Sequence, residues 1–266
     1  MDRINVMDRL TEIRKNIEAC DDQIIEALTK RMKCIEEIID YKREHHMPIF
    51  QPDQEAKQQQ KLDKKFAGLP YKAEMEDVFR NITANSKKLQ ARVLFPKNII
   101  LVGFMGAGKT SLASYLAQQL SMKTIETDEE IVRREGMSIS EIFDLYGESY
   151  FRDRESEVIR DVKEGHQMVI SVGGGSVIRD ENVANMKASG IIILLTATPS
   201  TILNRVKDST ERPLLNGHMN ESYIGKLMDR RKSRYEEVAD YMIDTNGKTV
   251  PEVCEAIISA LYAGEV

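Results

Sequence analysis

Residues 98–110 read NIILVGFMGAGKT. Asn98–Val102 is a short, mostly β-branched run with the character of a buried strand. Residues 103–110 match the pattern GxxxxGK[ST], and Ser111–Leu120 reads as a helix. Strand, glycine loop and helix in that order form a cradle for nucleotide phosphates. Gly103, Gly106 and Gly108 permit backbone conformations that a side chain would block. Successive N–H groups, including that of Ala107, can then face phosphate oxygens, and the helix N-terminus that opens with Lys109, Thr110 and Ser111 adds partial positive charge. Lys109 is placed to reach the terminal phosphates and the Thr110 hydroxyl to ligate Mg²⁺. A glycine-rich turn with an exposed lysine is the competing reading, and the flanking strand and helix weigh against it.

Outward from this loop the chain divides near Phe95-Pro96. Downstream, strands are predicted near 98–102, 123–125, 168–171, 190–195 and 241–243, separated by helical stretches. That alternation implies a parallel sheet covered by helices on both faces. Upstream only helical periodicity is present. A first helix is predicted from Asn5 to His45, ended by Pro48 and Pro52, a second over Asp53–Ala67 and a third over Tyr71–Arg92. The expected architecture is an all-α three-helix domain at 1–95 followed by an α/β domain with a parallel sheet at 96–266. The Gln58–Gln60 run reads as an exposed helix face.

Composition narrows the function classes. The chain has 266 residues, 41% hydrophobic and 30% charged, with a formal charge of −5. The first 95 residues carry 18 Lys/Arg against 17 Asp/Glu, the remainder 20 against 26. This balance argues against non-specific nucleic-acid binding, which needs a basic face, and the absence of Trp leaves no obvious stacking platform. No apolar run approaches the roughly 20 residues needed to span a bilayer. Three cysteines, Cys20, Cys34 and Cys254, lack CxxC spacing and are expected to be reduced packing residues of a cytoplasmic protein.

After the phosphate loop come Thr127-Asp128, FRDRE at 151–155, VGGG at 172–175, ERPLL at 211–215 and RRKSRYEEVAD at 230–240. In this order, over nearly all of residues 96–266, the motifs resemble a shikimate kinase. The resemblance implies ATP as phosphoryl donor, Mg²⁺ as its partner and shikimate as acceptor. Asp128 is similar to the carboxylate that takes the acceptor hydroxyl's proton. Arg152 and Arg231 resemble the pair that binds the substrate carboxylate, a task that suits a planar guanidinium. Gly174 resembles the close backbone contact to the substrate ring. Arg212 resembles a lid arginine that reaches the transferring phosphate, in a lid spanning about Asp208 to Ser222, and Arg205 the residue that stacks on adenine. Glu126 stands where the family has Asp, and resembles a metal-supporting residue with Thr110. Arg234 stands where the family has an apolar residue, so that it tunes the substrate site or faces solvent. Taken singly, Arg152 with Glu155 could be a helix ion pair, and Asp128 a helix cap.

On the first helix, Leu10, Ile17, Ile24, Leu28, Ile35 and Ile38 follow a 4–3 seam. At about 60 Å such a helix is too long for two shorter ones to cover, which predicts an intertwined homodimer, with Met75, Val78, Phe79 and Ile82 on the third helix's apolar side. Arg14, Asp21, Arg31 and Lys42 interrupt the seam. Three such cations need partners: salt bridges, snorkelling to solvent, or a polyanionic ligand inside the bundle. IRKNI at 13–17, KRM at 30–32, DYK at 40–42, MPIF at 47–50, and Ser86 with Gln90, resemble the all-helical chorismate mutase domain. By that resemblance Arg14, donated across the dimer, and Arg31 hold the carboxylates of chorismate. Lys42 and Gln90 donate to the ether oxygen, Glu55 accepts from the ring hydroxyl, and Ser86 is a further carboxylate contact. Gln51 and Gln54 depart from the family's charged residues.

The expected function is therefore a bifunctional enzyme of aromatic amino-acid synthesis, with Lys109, Asp128, Arg212, Lys42 and Gln90 as its catalytic residues. The competing expectations are a shikimate kinase with a non-catalytic dimerising or chorismate/prephenate-sensing module, another small-molecule kinase, or a nucleotide-dependent switch.

Overall fold

The computed structural model describes residues 3–45, 47, 52–162, 165–207 and 220–264. Three helices come first: α1 (Arg3–Glu44), α2 (Pro52–Phe66) and α3 (Lys72–Leu94). Pro52 starts the second helix rather than ending the first, because its missing N–H costs nothing in a first turn. Tyr71 stands outside α3 as its left-handed N-cap residue, φ 59°.

Only Phe95–Lys97 separate α3 from β1 (Asn98–Gly103). Then follow α4 (Lys109–Leu120), β2 (Lys123–Glu126), α5 (Thr127–Glu135), α6 (Ile139–Val162), β3 (Met168–Ser171), a 3-10 turn (Ser176–Ile178), α7 (Asp180–Ser189), β4 (Gly190–Thr196), α8 (Pro199–Val206), α9 (Glu221–Val238), β5 (Tyr241–Asp244) and α10 (Val250–Ala263). Glu221 and Ser222, expected in the lid, belong to α9, whose start is set by the Asn220 side chain accepting from Tyr223 N at 2.9 Å.

All strands pair in parallel, in the order β2-β3-β1-β4-β5. Alternate residues feed opposite layers. Ile99, Leu101, Ile193 and Leu195 pack against α4, α8 and α10, whereas Ile100, Val102, Ile192 and Leu194 pack against α5, α6, α7 and α9. Strand order reverses beside β1, which opens a crevice at the carboxyl ends of β1 and β3.

The first layer also takes in Ile39 of α1 with Ala91, Leu94 and Phe95 around the end of α3. The helical segment is thus seated on the sheet domain through buried apolar contacts. The rest of α1 is different: every residue from Met7 to Ala27 is exposed, including Leu10, Ile13, Ile17 and Ile24. The seam therefore has no cover within one chain before Leu28. Met75, Val78 and Phe79 of α3 are exposed as well, and so is the Gln58–Gln60 run. Cys254 is a buried packing residue, but Cys20 and Cys34 lie exposed on this same uncovered helix, contrary to the packing role expected for all three.

Candidate active sites

A cleft of about 800 Å³ opens at the crevice. One wall is the loop from Met105 to Leu112; the others include Glu126, Asp128, Gly173, Gly174, Arg205, Thr245 and Lys248. The loop geometry follows from its glycines. Gly103, φ +145°, lies so close to β4 that a Cβ would sit 2.6 Å from the Leu195 oxygen. Gly106 and Gly108 also have positive φ, 77° and 96°. Lys109, buried at the first turn of α4, donates from Nζ to the Gly103 and Phe104 carbonyls at 2.9 and 3.2 Å. Arg205 donates to Gly106 O, Ala107 O and Thr245, and so ties the loop to the turn after β5.

Facing the loop, β2 ends at Glu126, which accepts from Ser171 Oγ at 2.8 Å and from the Thr110 hydroxyl. Burial raises the Glu126 pKa; these two hydrogen bonds oppose that, nearby Asp128 adds to it and Lys109 lowers it. Asp128 sits in the first turn of α5, where its side chain does not serve as the cap. A Cβ on Gly173 would lie 2.6 Å from Glu155 Oε1 and 2.9 Å from Asp128 Oδ1. The glycine turn thus makes room for two carboxyl groups.

Arg152 and Arg231 are not part of the cleft's lining, but both meet this turn. Arg152 lies where a Cβ on Gly175 would fall, 2.4 Å from Nη1, and Arg231 Nη1 donates to Gly174 O at 3.1 Å. The Arg152–Glu155 ion pair does form, at 3.0 Å, with Glu155 fully buried and also accepting from Ser176 Oγ at 2.6 Å. Burial raises the Glu155 pKa against the pull of Arg152 and Ser176. For Arg152 burial disfavours the charge, yet Glu155 and Glu148 outweigh it and raise its pKa. Arg234 has partners within the protein. It donates to Val177 O at 2.9 Å and pairs with Glu237 and Asp180, so it holds the 3-10 turn and does not enter the cleft. Arg212 lies outside the described residues.

In the helical segment Arg31 donates to the buried Ser86 hydroxyl, joining α1 to α3. Lys42 and Gln90 are half-buried. Arg14 is exposed on the uncovered part of α1, about 25 Å along the helix from Arg31, so one chain does not bring the two together. Gln54 is exposed; Gln51 and the Glu55 side chain lie outside what is described.

Several contributors were given no site role from the sequence. Glu155 had a signal, its place three residues after Arg152. So did Tyr235, four after Arg231. Thr245 and Lys248 had none, because only the sheet order brings the turn after β5 beside a loop more than 130 residues earlier.

Residues 105–262 match the shikimate kinase family model, and residues 13–91 match that of chorismate mutase type II. A shikimate kinase from Thermodesulfovibrio yellowstonii is 46% identical over 162 residues, 61% of this chain and 93% of its own length. Among solved structures, a shikimate kinase from Acinetobacter baumannii in complex with shikimate is 33% identical with a TM-score of 0.62, covering 64% of this chain and 96% of that one. One from Aquifex aeolicus is 38% identical with a TM-score of 0.55, covering 62% and 95%. Among the described residues no helix is long and apolar enough to cross a membrane.

Proposed function

Because the chain belongs to the shikimate kinase family and carries a type II chorismate mutase domain ahead of it, we propose that one polypeptide phosphorylates the shikimate 3-hydroxyl with ATP and rearranges chorismate to prephenate, with the domain boundary after residue 95. The observation that carries the kinase half is the convergence of loop, Asp128 and glycine turn on one cleft. Lys109 leaves its two carbonyls to hold the terminal phosphates, and the loop N–H groups cradle the rest. Arg205, Thr245 and Lys248 form the nucleoside end. Arg152 and Arg231 grip the carboxylate of shikimate, its ring lies against Gly174, and Asp128 accepts the 3-hydroxyl proton as that oxygen attacks. Arg212 meets the transferring phosphate in this reading.

A Mg²⁺ ion suits the hydroxyl–carboxylate pair of Thr110 and Glu126, since that ion takes one or two protein oxygens and otherwise phosphate and water. When bound it supplies neutralising charge to the phosphates. The longer Glu126 side chain is held at a definite place by Ser171.

For the mutase, Arg31 and Ser86 bind carboxylate, Glu55 accepts from the ring hydroxyl, and Lys42 and Gln90 stabilise charge growing on the ether oxygen. Arg14 completes the pocket from a second copy. The uncovered seam of α1 supports a homodimer built through these helices. Sedimentation of the full chain at micromolar concentration is expected to give a dimer, and mixed Arg14→Ala and Arg31→Ala chains are expected to regain mutase activity that neither has alone. A monomer, or exchange without recovery, contradicts the shared pocket. The cytoplasm is the setting we assign.

Two assays on one preparation test the proposal: shikimate- and ATP-dependent ADP release, and conversion of chorismate to prephenate. Gly173→Ala forces a Cβ against Glu155 and Asp128, and is expected to lower kcat/KM for shikimate about 100-fold while ATP affinity holds. Unchanged shikimate kinetics would mean that the turn does not set the acceptor site.

A further inference from the structure

The helix α9 grips the glycine turn at two places. Arg234 Nε bonds Val177 O. Four residues apart and therefore on one face, Arg231 and Tyr235 both reach Gly174 O: Arg231 from Nη1 at 3.1 Å, Tyr235 from its hydroxyl. A carbonyl oxygen has two acceptor sites, and here one helix fills both. The same phenol meets the Arg231 guanidinium. The rest of the turn is anchored from other directions: Gly173 N–H donates to Thr127 Oγ1 at 3.1 Å, and Ser176 N–H to Gly173 O at 3.1 Å. Within the glycine triplet, and among the described residues, Gly174 O is the group held by α9.

On the reading that this is a shikimate site, we infer that Tyr235 is a positioning residue for the acceptor: its hydroxyl locks the Gly174 peptide and the Arg231 guanidinium in the register that receives the shikimate ring and carboxylate. Tyr235 is itself buried, with only 5% of its surface exposed, and forms part of the core layer with Val102 and Val158. Its ring is anchored by packing, so its hydroxyl is a fixed donor. Burial, which Arg231 only partly offsets, pushes its pKa up to about 12, so it keeps its proton throughout a practical assay range. A lysine or serine there would lack either the reach or the rigidity.

The test is Tyr235→Phe in the full chain, which keeps the ring and deletes one donor. Losing one buried hydrogen bond corresponds to about a tenfold change. The shikimate KM is expected to rise about tenfold by that measure, with kcat within about twofold. The KM for ATP is expected to stay at the wild-type value, and the unfolding midpoint to fall only by the few degrees that one lost hydrogen bond costs. A merely structural tyrosine would raise the KM of ATP and of shikimate together, and that result overturns the inference. So does an unchanged shikimate KM in the variant beside an active wild type. A wild-type protein that does not phosphorylate shikimate removes the kinase reading and this inference together.

Discussion

Lys109→Ala is expected to cut shikimate phosphorylation about 1,000-fold and to leave the mutase reaction within about twofold. The Nζ of Lys109 is within reach of two loop carbonyls and close enough to Glu126 to offset a little of the rise that burial imposes on its pKa. It is a concentrated cation in a cleft where charge moves during transfer. The loop N–H groups that remain in the variant orient the nucleotide but carry only partial charge. The mutase is spared for a geometric reason. Lys109 opens α4, whereas Leu116 and Leu120, which share the buried layer with Leu94 and Phe95, lie in its last two turns. Lys109 and Leu120 are about 16 Å apart along the helix. ADP release and prephenate formation measured on the same sample decide the matter. Equal loss of both would show that the two halves do not work separately.

The converse variant, Lys42→Ala, is expected to lower mutase kcat/KM about 1,000-fold and to spare the kinase. The pericyclic step needs no nucleophile and no proton transfer. What protein can contribute is a compact substrate conformer and charge beside the breaking ether bond. Of the two donors assigned to that oxygen, Lys42 is charged and Gln90 is neutral, so the lysine carries the larger part. It stands half-buried in the last turn of α1, where the helix C-terminus favours a cation. Lys42→Arg tests whether charge alone suffices and is expected to recover part of the rate. Saturable prephenate binding by wild type without turnover would instead make the helical segment a sensing module.

Much of this architecture could be read from residues 98–110 and the periodicity on either side. All five strands fall within a residue of where they were expected; the central β1, β3 and β4 are buried on both faces and need apolar runs, while β2 and β5 are partly exposed edge strands. The long first helix was equally legible, as no Pro or Gly interrupts it. Helix starts were harder. Pro52 and Tyr71 carry opposite local meanings depending on which side of a boundary they fall, and periodicity does not settle that. For the sites, the glycine loop announced itself because its chemistry is local: one loop supplies the backbone, the lysine and the hydroxyl together.

By itself the sequence determined the two domain types, the phosphate loop and the cations that interrupt the α1 seam. These are properties of spacing along one chain. Only the tertiary structure decided that Gly173 makes room for Asp128 and Glu155, that Arg205 bridges the loop to Thr245, that Arg234 ties α9 to the 3-10 turn, and that Tyr235 and Arg231 share one carbonyl. Each joins elements far apart in the chain. Sheet order and helix facing set such distances, and no local pattern of residues encodes them.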